Sequence, residues 1–218
     1  MTRGAFHPNF ADLPKVLPIF PLPGVLLLPG GHLPLNIFEP RYLAMVRDAL
    51  GGERMIGMIQ PCEESPDIGA AKVYDTGCAG RITAFSETED GRYLITLTGM
   101  IRFDISGELP PIEGYRRIAA DYRRFRRDLE DDESAIDRER LLEALDTYFD
   151  AKGIKSDWES IEETANELLV ASLAMICPFA AAEKQALLEA RTLPERARTM
   201  TAIMEMAVHG AGGDAAPH

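Results

Sequence analysis

The sequence predicts an α+β protein: a barrel-like, mainly antiparallel β lobe with one packed helix, followed by a C-terminal helical bundle. Three observations predict it. Prolines hostile to helix punctuate the opening stretch. Hydrophobic residues then alternate with period two as far as Tyr122. Beyond a charged stretch at 126–134 the period becomes 3.6. The expected boundaries are 13–125 for the β lobe and 134–209 for the bundle, with flexible tails at 1–12 and 210–218.

In the stretch IFPLPGVLLLPGGHLPLNIFEPRY, Pro18, Pro21, Pro23, Pro29 and Pro34 fix φ and remove amide donors. The words at 16–20, 25–28 and 33–38 suit short, bent strands, since proline in sheets keeps to edges, first positions and bulges. Pro40 suits a first helical turn. Tyr42, Met45, Val46, Ala49 and Leu50 follow at helical spacing, Glu39 sits at the favourable end of the dipole, and Gly51-Gly52 stops the helix. Residues 55–61 read as a strand, followed by a polar loop through Ala70. Residues 72–87 read as a strand pair or one long strand bent at Gly77 and Gly80. Asp90-Gly91 is a strong hairpin signal. Alternation runs on through Tyr93, Ile95 and Leu97 and resumes after Gly99 at Ile101, Phe103 and Ile105, so Gly99 marks a bulge or corner. Residues 115–122 supply a last strand.

In the bundle, Leu141, Leu145, Tyr148 and Phe149 form one stripe. Ser156-x-x-Glu159 is a capping-box pattern opening a helix to Pro178, with Trp158, Ile161, Leu168, Leu169, Leu173 and Ile176 on a shared face. A shorter helix covers 181–190. Thr192-x-x-Glu195 starts the last one, with a stripe of Met200, Ile203, Met204 and Ala207.

Composition excludes several function classes. With 35 acidic against 23 basic residues, the formal net charge is −12, unsuited to nucleic acid or anionic membrane. The basic cluster at 116–127 runs into Asp128, Glu130, Asp131, Asp132 and Glu133 and reads as a solvated strand end and linker. The longest aliphatic word stops at Pro29, far short of the ~20 residues of a membrane helix. The amino terminus lacks the apolar run of a signal peptide. A cytoplasmic protein is expected, without membrane or nucleic-acid partners. Cys62, Cys78 and Cys177 are an odd set with no C-x-x-C pair, and His32 lacks partners at ligand spacing, so neither disulfide, metal nor cofactor is expected.

Catalytic patterns are sparse. There is no G-x-S-x-G, H-E-x-x-H or G-x-x-x-x-G-K-[ST]. Acid pairs such as Glu63-Glu64 and Glu162-Glu163 read as solvated. Cys78 is the thiol to test for reactivity, with a packed strand cysteine as the stronger reading.

Several words resemble the amino-terminal domain of Lon-type ATP-dependent proteases. They are Leu17-Pro18-Ile19-Phe20-Pro21-Leu22, Leu33-Pro34-Leu35, Ile37-Phe38-Glu39-Pro40-Arg41-Tyr42, Gly77-Cys78-Ala79-Gly80-Arg81-Ile82, Asp90-Gly91-Arg92-Tyr93-Leu94-Ile95, Leu97-Thr98-Gly99, Pro178-Phe179 and Glu183-Lys184-Gln185-x-Leu187-Leu188-Glu189. Their order covers about 13–207, with one departure at Asn36, where the family often has histidine. The resemblance implies a β lobe and bundle that recognise and hold protein substrates without catalysing. The motor and Ser-Lys protease domains that normally follow are not in these 218 residues, so a stand-alone member is expected. The expected function is non-catalytic binding of unfolded or exposed polypeptide segments, as adaptor or holdase in protein quality control. Cooperation with a separate protease and weak self-association stay open. The alternatives are a small-molecule-sensing barrel and a cryptic ATP-independent peptidase or hydrolase. Leu27, Met55, Met58 and Met100 are the candidate polypeptide-binding residues, methionine suiting adaptable surfaces, with core filling as the competing reading of each.

Overall fold

The computed structural model describes residues 8–62, 71–132 and 134–212. The strands β1 (Val16–Pro21), β2 (His32–Ile37), β3 (Met55–Ile59), β4 (Thr76–Glu87), β5 (Tyr93–Ile112) and β6 (Tyr115–Asp121) form one sheet in the order β2-β5-β4-β3-β1-β6. Because β5 also pairs with β6, five strands close into a ring and β2 lies outside it, against the first part of β5. Only the β1–β3 pairing is parallel. The helices are α1 (Pro40–Gly51), α2 (Arg138–Lys152), α3 (Trp158–Glu163), α4 (Asn166–Ile176), α5 (Ala181–Glu189) and α6 (Leu193–Gly212). The α+β class and the barrel-like, mainly antiparallel arrangement are as expected.

The 20-residue β5 serves two faces. Gly80 pairs with Gly99 but Ala79 with Ile101, so Met100 is an inserted residue. A bulge of this kind reverses the alternation. Ile95 and Leu97 therefore join the cluster under the helices, while Ile101 and Phe103 point into the ring with Leu17, Ile19, Met55 and Ile118. Phe103 fills the ring so tightly that a Cβ at Gly57 or Gly77 would lie 2.9 or 2.5 Å from its atoms. At the corner itself, a Cβ on Gly99 would lie 2.0 Å from the Leu28 carbonyl. The loop before β2 is clasped there: Gly30 N donates to Gly99 O and Gly99 N to Gly31 O, each at 2.9 Å.

The outer face of the ring is covered by α1 and the bundle in one continuous core, from Phe20, Ile56 and Met58 through Tyr42 and Met45 to Leu145, Leu173, Leu187 and Met204. α1 presents Tyr42, Met45, Val46 and Ala49 to it and is tied to β6 by the Tyr115 hydroxyl, which donates to Asp48 at 2.7 Å. Glu39 and Arg41 form an ion pair at 2.9 Å within the first turn, local to the helix start. The Asp90-Gly91 hairpin forms as expected, Gly91 adopting φ +78°.

Two expectations fail and a third needs amending. Residues 25–28 make no strand: Leu26, Leu27 and Leu28 are buried as an irregular plug between sheet and bundle. The long helix from Trp158 to Ile176 is two helices. Asp157, rather than Ser156, caps the first, and Thr164 turns extended at ψ +133°. Leu168 and Ile176 consequently stand exposed (47% and 73%) instead of lying on the buried face. The charged stretch at 126–134 is largely exposed as expected, at Arg126, Arg127, Glu130, Asp131 and Ser134, but Asp128, in the 3-10 turn Arg123–Leu129, turns its side chain inward. The polar loop at 63–70 with Glu63 and Glu64, and the outer parts of both tails, lie outside the described residues.

Two outcomes test this architecture. Gly99→Ala must push the Leu28 backbone off β5 and should destabilise by about 2 kcal/mol or more in urea unfolding. Tyr115 has its phenol pKa raised from the ordinary 10 to about 12 by burial and by Asp48. Folding thus favours the neutral phenol, and its contribution is complete below pH ~10 and fades between pH ~10 and ~12. Tyr115→Phe should flatten the fall of Tm with pH in that window.

Candidate functional site

The four sequence candidates are not brought to the surface. Leu27 and Met58 (each 2% exposed) lie in the core between ring and bundle. Met55 (4%) and Met100 (6%) lie in the ring interior. Their apolar side chains fill volume from opposite sides of the sheet and line no shared groove. Cys78 is buried, and burial pushes its thiol far up, which removes the thiolate a nucleophile needs. Burial likewise raises Cys177, to about 11.

What presents the bundle surface is a polar junction centred on α5. Arg102, adjacent to the β5 bulge and 4% exposed, binds Asp128 with Nη2 to Oδ1 at 2.7 Å and Nε to Oδ2 at 2.9 Å. Its Nη1 donates to the Leu188 and Ala190 carbonyls at 2.8 and 2.5 Å, and its guanidinium lies 4.7 Å over the Phe125 ring. Buried Arg196 from α6 donates to the Leu187 carbonyl at 2.9 Å. Two cations thus meet the carbonyl end of α5, where the dipole is negative. Burial, with Arg102 close by, pulls the Arg196 pKa down to about 10, still charged near neutrality. At the other end, Lys184 Nζ donates to Gly24 O at 2.8 Å and holds the plug loop, while Gln185 Nε2 donates to Thr76 O at 3.1 Å and Gln60 Nε2 to Ala181 O at 3.2 Å.

On the far side of the bundle α2, α3 and α4 enclose an apolar groove of about 400 Å³. Phe149 from α2 and Leu169 and Leu173 from α4 line it, Ile161 from α3 and Ile154 from the preceding loop form one wall, and Leu168 and Ile176 stand at its edge. Leu168, Ser172 and Ile176 follow at i, i+4 and i+8, one row along α4. Arg138 creates the opening: Nη1 donates to Asn166 Oδ1 at 2.6 Å, and Nη2 to the Ile161 and Glu162 carbonyls at 2.9 and 2.8 Å. Those contacts cap the end of α3 and the start of α4, so the chain turns between them. Trp158, the chain's single tryptophan, has its ring 6.2 Å from the groove-lining Phe149. The cleft between α2 and α6 differs in being rimmed by charged residues, Asp137, Glu139, Arg140, Glu143 and Glu205. The polar residues of the groove lie mainly on its α3 wall, where Asp157, Ser160 and Thr164 hydrogen-bond to one another within the cap and turn of that helix, while the α2 and α4 walls offer chiefly desolvation of an apolar partner. The sequence signal for it is Leu168 and Ile176, which helical spacing places on the same face as Leu169 and Leu173. Among the described residues no helix is long and apolar enough to cross a membrane.

Comparison with known proteins agrees with this architecture. The family model "ATP-dependent protease La (LON) substrate-binding domain" matches residues 16–206. The Lon protease of Anaeromyxobacter dehalogenans and Lon protease 2 of Myxococcus xanthus are each 35% identical over 98 residues, 44% of this chain and 12% of theirs. The chain thus matches only about an eighth of the length of those relatives. Among solved structures, the Lon N-terminal domain protein from Xanthomonas campestris superposes with a TM-score of 0.60 at 24% identity, covering 86% of this chain and 97% of that one. The N-terminal domain of Mycobacterium avium complex Lon protease gives 0.59 at 16% identity, covering 88% and 98%. Both share the fold.

The junction makes its own prediction. Arg102→Ala leaves Asp128 buried without its cation and should cost about 3–5 kcal/mol in urea unfolding. Arg102→Lys cannot reproduce the fork and should fall between the two. A loss under about 1 kcal/mol for Arg102→Ala would contradict the account.

Proposed function

This chain belongs to the Lon substrate-binding domain family, and we propose that it binds exposed apolar segments of other polypeptides in the α2–α3–α4 groove, as an adaptor or holdase, without breaking bonds itself. One observation carries the choice of site: Leu168 and Ile176, at 47% and 73% exposure, flank an apolar cavity of about 400 Å³. Of the other large exposed hydrophobics, Phe38 and Met206 lie apart, while Phe85 and Leu94 share the β4–β5 hairpin, where the Phe85 ring packs edge-on against Tyr93. A folded protein has no stability reason to leave an apolar row beside a cavity, and such patches commonly mark partner surfaces. Extended or helical segments could lie along the α4 row, gaining affinity from area removed from water. The small-molecule reading has less support, because Phe103, Ile101 and Leu17 occupy the ring interior. Hydrolysis has less still, with Cys78 and Cys177 buried and protonated.

The test is capture of an unfolded model protein by the purified chain, with and without ATP, together with Trp158 fluorescence during titration. Capture should be independent of ATP and should perturb the tryptophan. Leu168→Asp with Ile176→Asp should weaken it about tenfold while leaving Tm within a few degrees, since both side chains are exposed. Unchanged capture by that folded variant would move the site elsewhere. No retention at tens of micromolar would end the polypeptide-binding reading.

A further inference from the structure

Resting on the groove assignment above, we propose that its preferred occupant is a short apolar segment flanked by lysine or arginine. Length comes first. From Leu168 to Ile176 the α4 row runs eight residues, about 12 Å at the helical rise. That accommodates roughly four residues of extended chain, or about two turns of helix. Flanking residues of any longer partner must therefore leave the groove and cross its walls.

The wall they cross on one side is α3, and its charge is one-sided. Asp157, Ser160, Ile161 and Thr164 face the groove. Glu159, Glu162 and Glu163 occupy the opposite, outer side of the same short helix, all three exposed. None of these three makes an ion pair with another described residue. The Asp157 carboxylate is held by Ser160, at 2.7 Å from Oγ, which lowers its pKa and keeps it charged. The cations nearby answer only in part. Lys155 lines the groove, Lys152 is turned toward the Tyr148 ring at 5.9 Å, and Arg138 is spent on the backbone carbonyls of Ile161 and Glu162. With the four carboxylates Asp157, Glu159, Glu162 and Glu163 against the three cations Lys152, Lys155 and Arg138, the ridge keeps a net negative charge within about a Debye length of the groove mouth, and the whole chain at −12 reinforces its sign. An acidic flank meets repulsion there, while a basic flank is drawn in.

Four labelled peptides test this by fluorescence anisotropy with the full chain. Three share the core Leu-Ile-Phe-Leu, flanked on both sides by three lysines, three serines or three glutamates; the fourth has lysine flanks and a serine core. At about 50 mM salt the Lys-flanked apolar peptide should bind roughly tenfold tighter than the Glu-flanked one, the gap narrowing to about twofold at 0.5 M. The triple variant Glu159→Gln, Glu162→Gln, Glu163→Gln should abolish most of the gap and leave the Ser-flanked affinity unchanged. Equal binding of Lys- and Glu-flanked peptides, an unaltered gap in the triple variant, or tight binding of the serine-core peptide would overturn the charge preference. If all three apolar peptides fail to bind, the groove assignment itself falls, and this inference with it.

Discussion

The buried guanidinium of Arg102 is the constraint around which the two halves are arranged. Inside the protein a charge must find a counter-charge and a donor-acceptor set or be expelled. Arg102 finds Asp128 from the chain leaving the sheet and two carbonyls from the end of α5. Each partner has to arrive in one geometry, because the guanidinium fork is planar and bidentate. Asp128 is therefore turned back against the ring, and α5 must terminate over β5.

From that point the helix is fixed along its length. Lys184, Gln185 and Gln60 satisfy one another's neighbourhoods at the opposite end, and Leu187 and Leu188 enter the core between. α4 is packed against α5 and α6, so its inner residues Leu169, Val170, Leu173 and Ala174 are committed to the core. Its outer row is left without an internal partner. A second arginine, Arg138, then separates α3 from α4 and leaves the groove open. Two buried or half-buried arginines thus shape the surface more than any single hydrophobic contact.

Much of the fold was legible in the sequence because its signals are local. Pro40 with the 3.6-period run gives α1, Asp90-Gly91 gives the hairpin, and Thr192 with Glu195 gives the start of α6, where Thr192 Oγ1 accepts from Glu195 N at 3.2 Å. Gly99 read correctly as a corner, although its reason, the Leu28 carbonyl pressed against it, is 71 residues away in the chain. The failures are long-range in origin. Residues 25–28 look like a strand by composition, but a lysine from α5 and the clasp at Gly99 bind the loop around them. The break between α3 and α4 depends on Arg138, more than twenty positions earlier, and periodicity cannot register such a contact. Leu168 and Ile176, which helical spacing groups with Leu169 and Leu173, therefore stay outside the core. Methionines chosen as surface candidates were hydrophobic residues in a strand context, and strand alternation alone does not say which face lies outside when both faces are buried.

Rigidity is unevenly distributed around the groove, and this bears on the proposed role of the groove. α2 and α4 are anchored by buried residues on their inner faces, whereas α3 has only six residues and none of them is buried. It is retained by the Asp157 cap, by the Arg138 contacts to its last carbonyls, and by the half-buried Trp158 and Ile161 packed against the core. Elements with so little burial lie at the low end of local stability. A partner that displaces α3 slightly would pay little for the adjustment, while the row on α4 stays in place as a fixed template. Such a pairing of one firm wall with one yielding wall admits side chains of different size without reorganising the junction, which suits recognition by exposed apolar character rather than by a unique sequence.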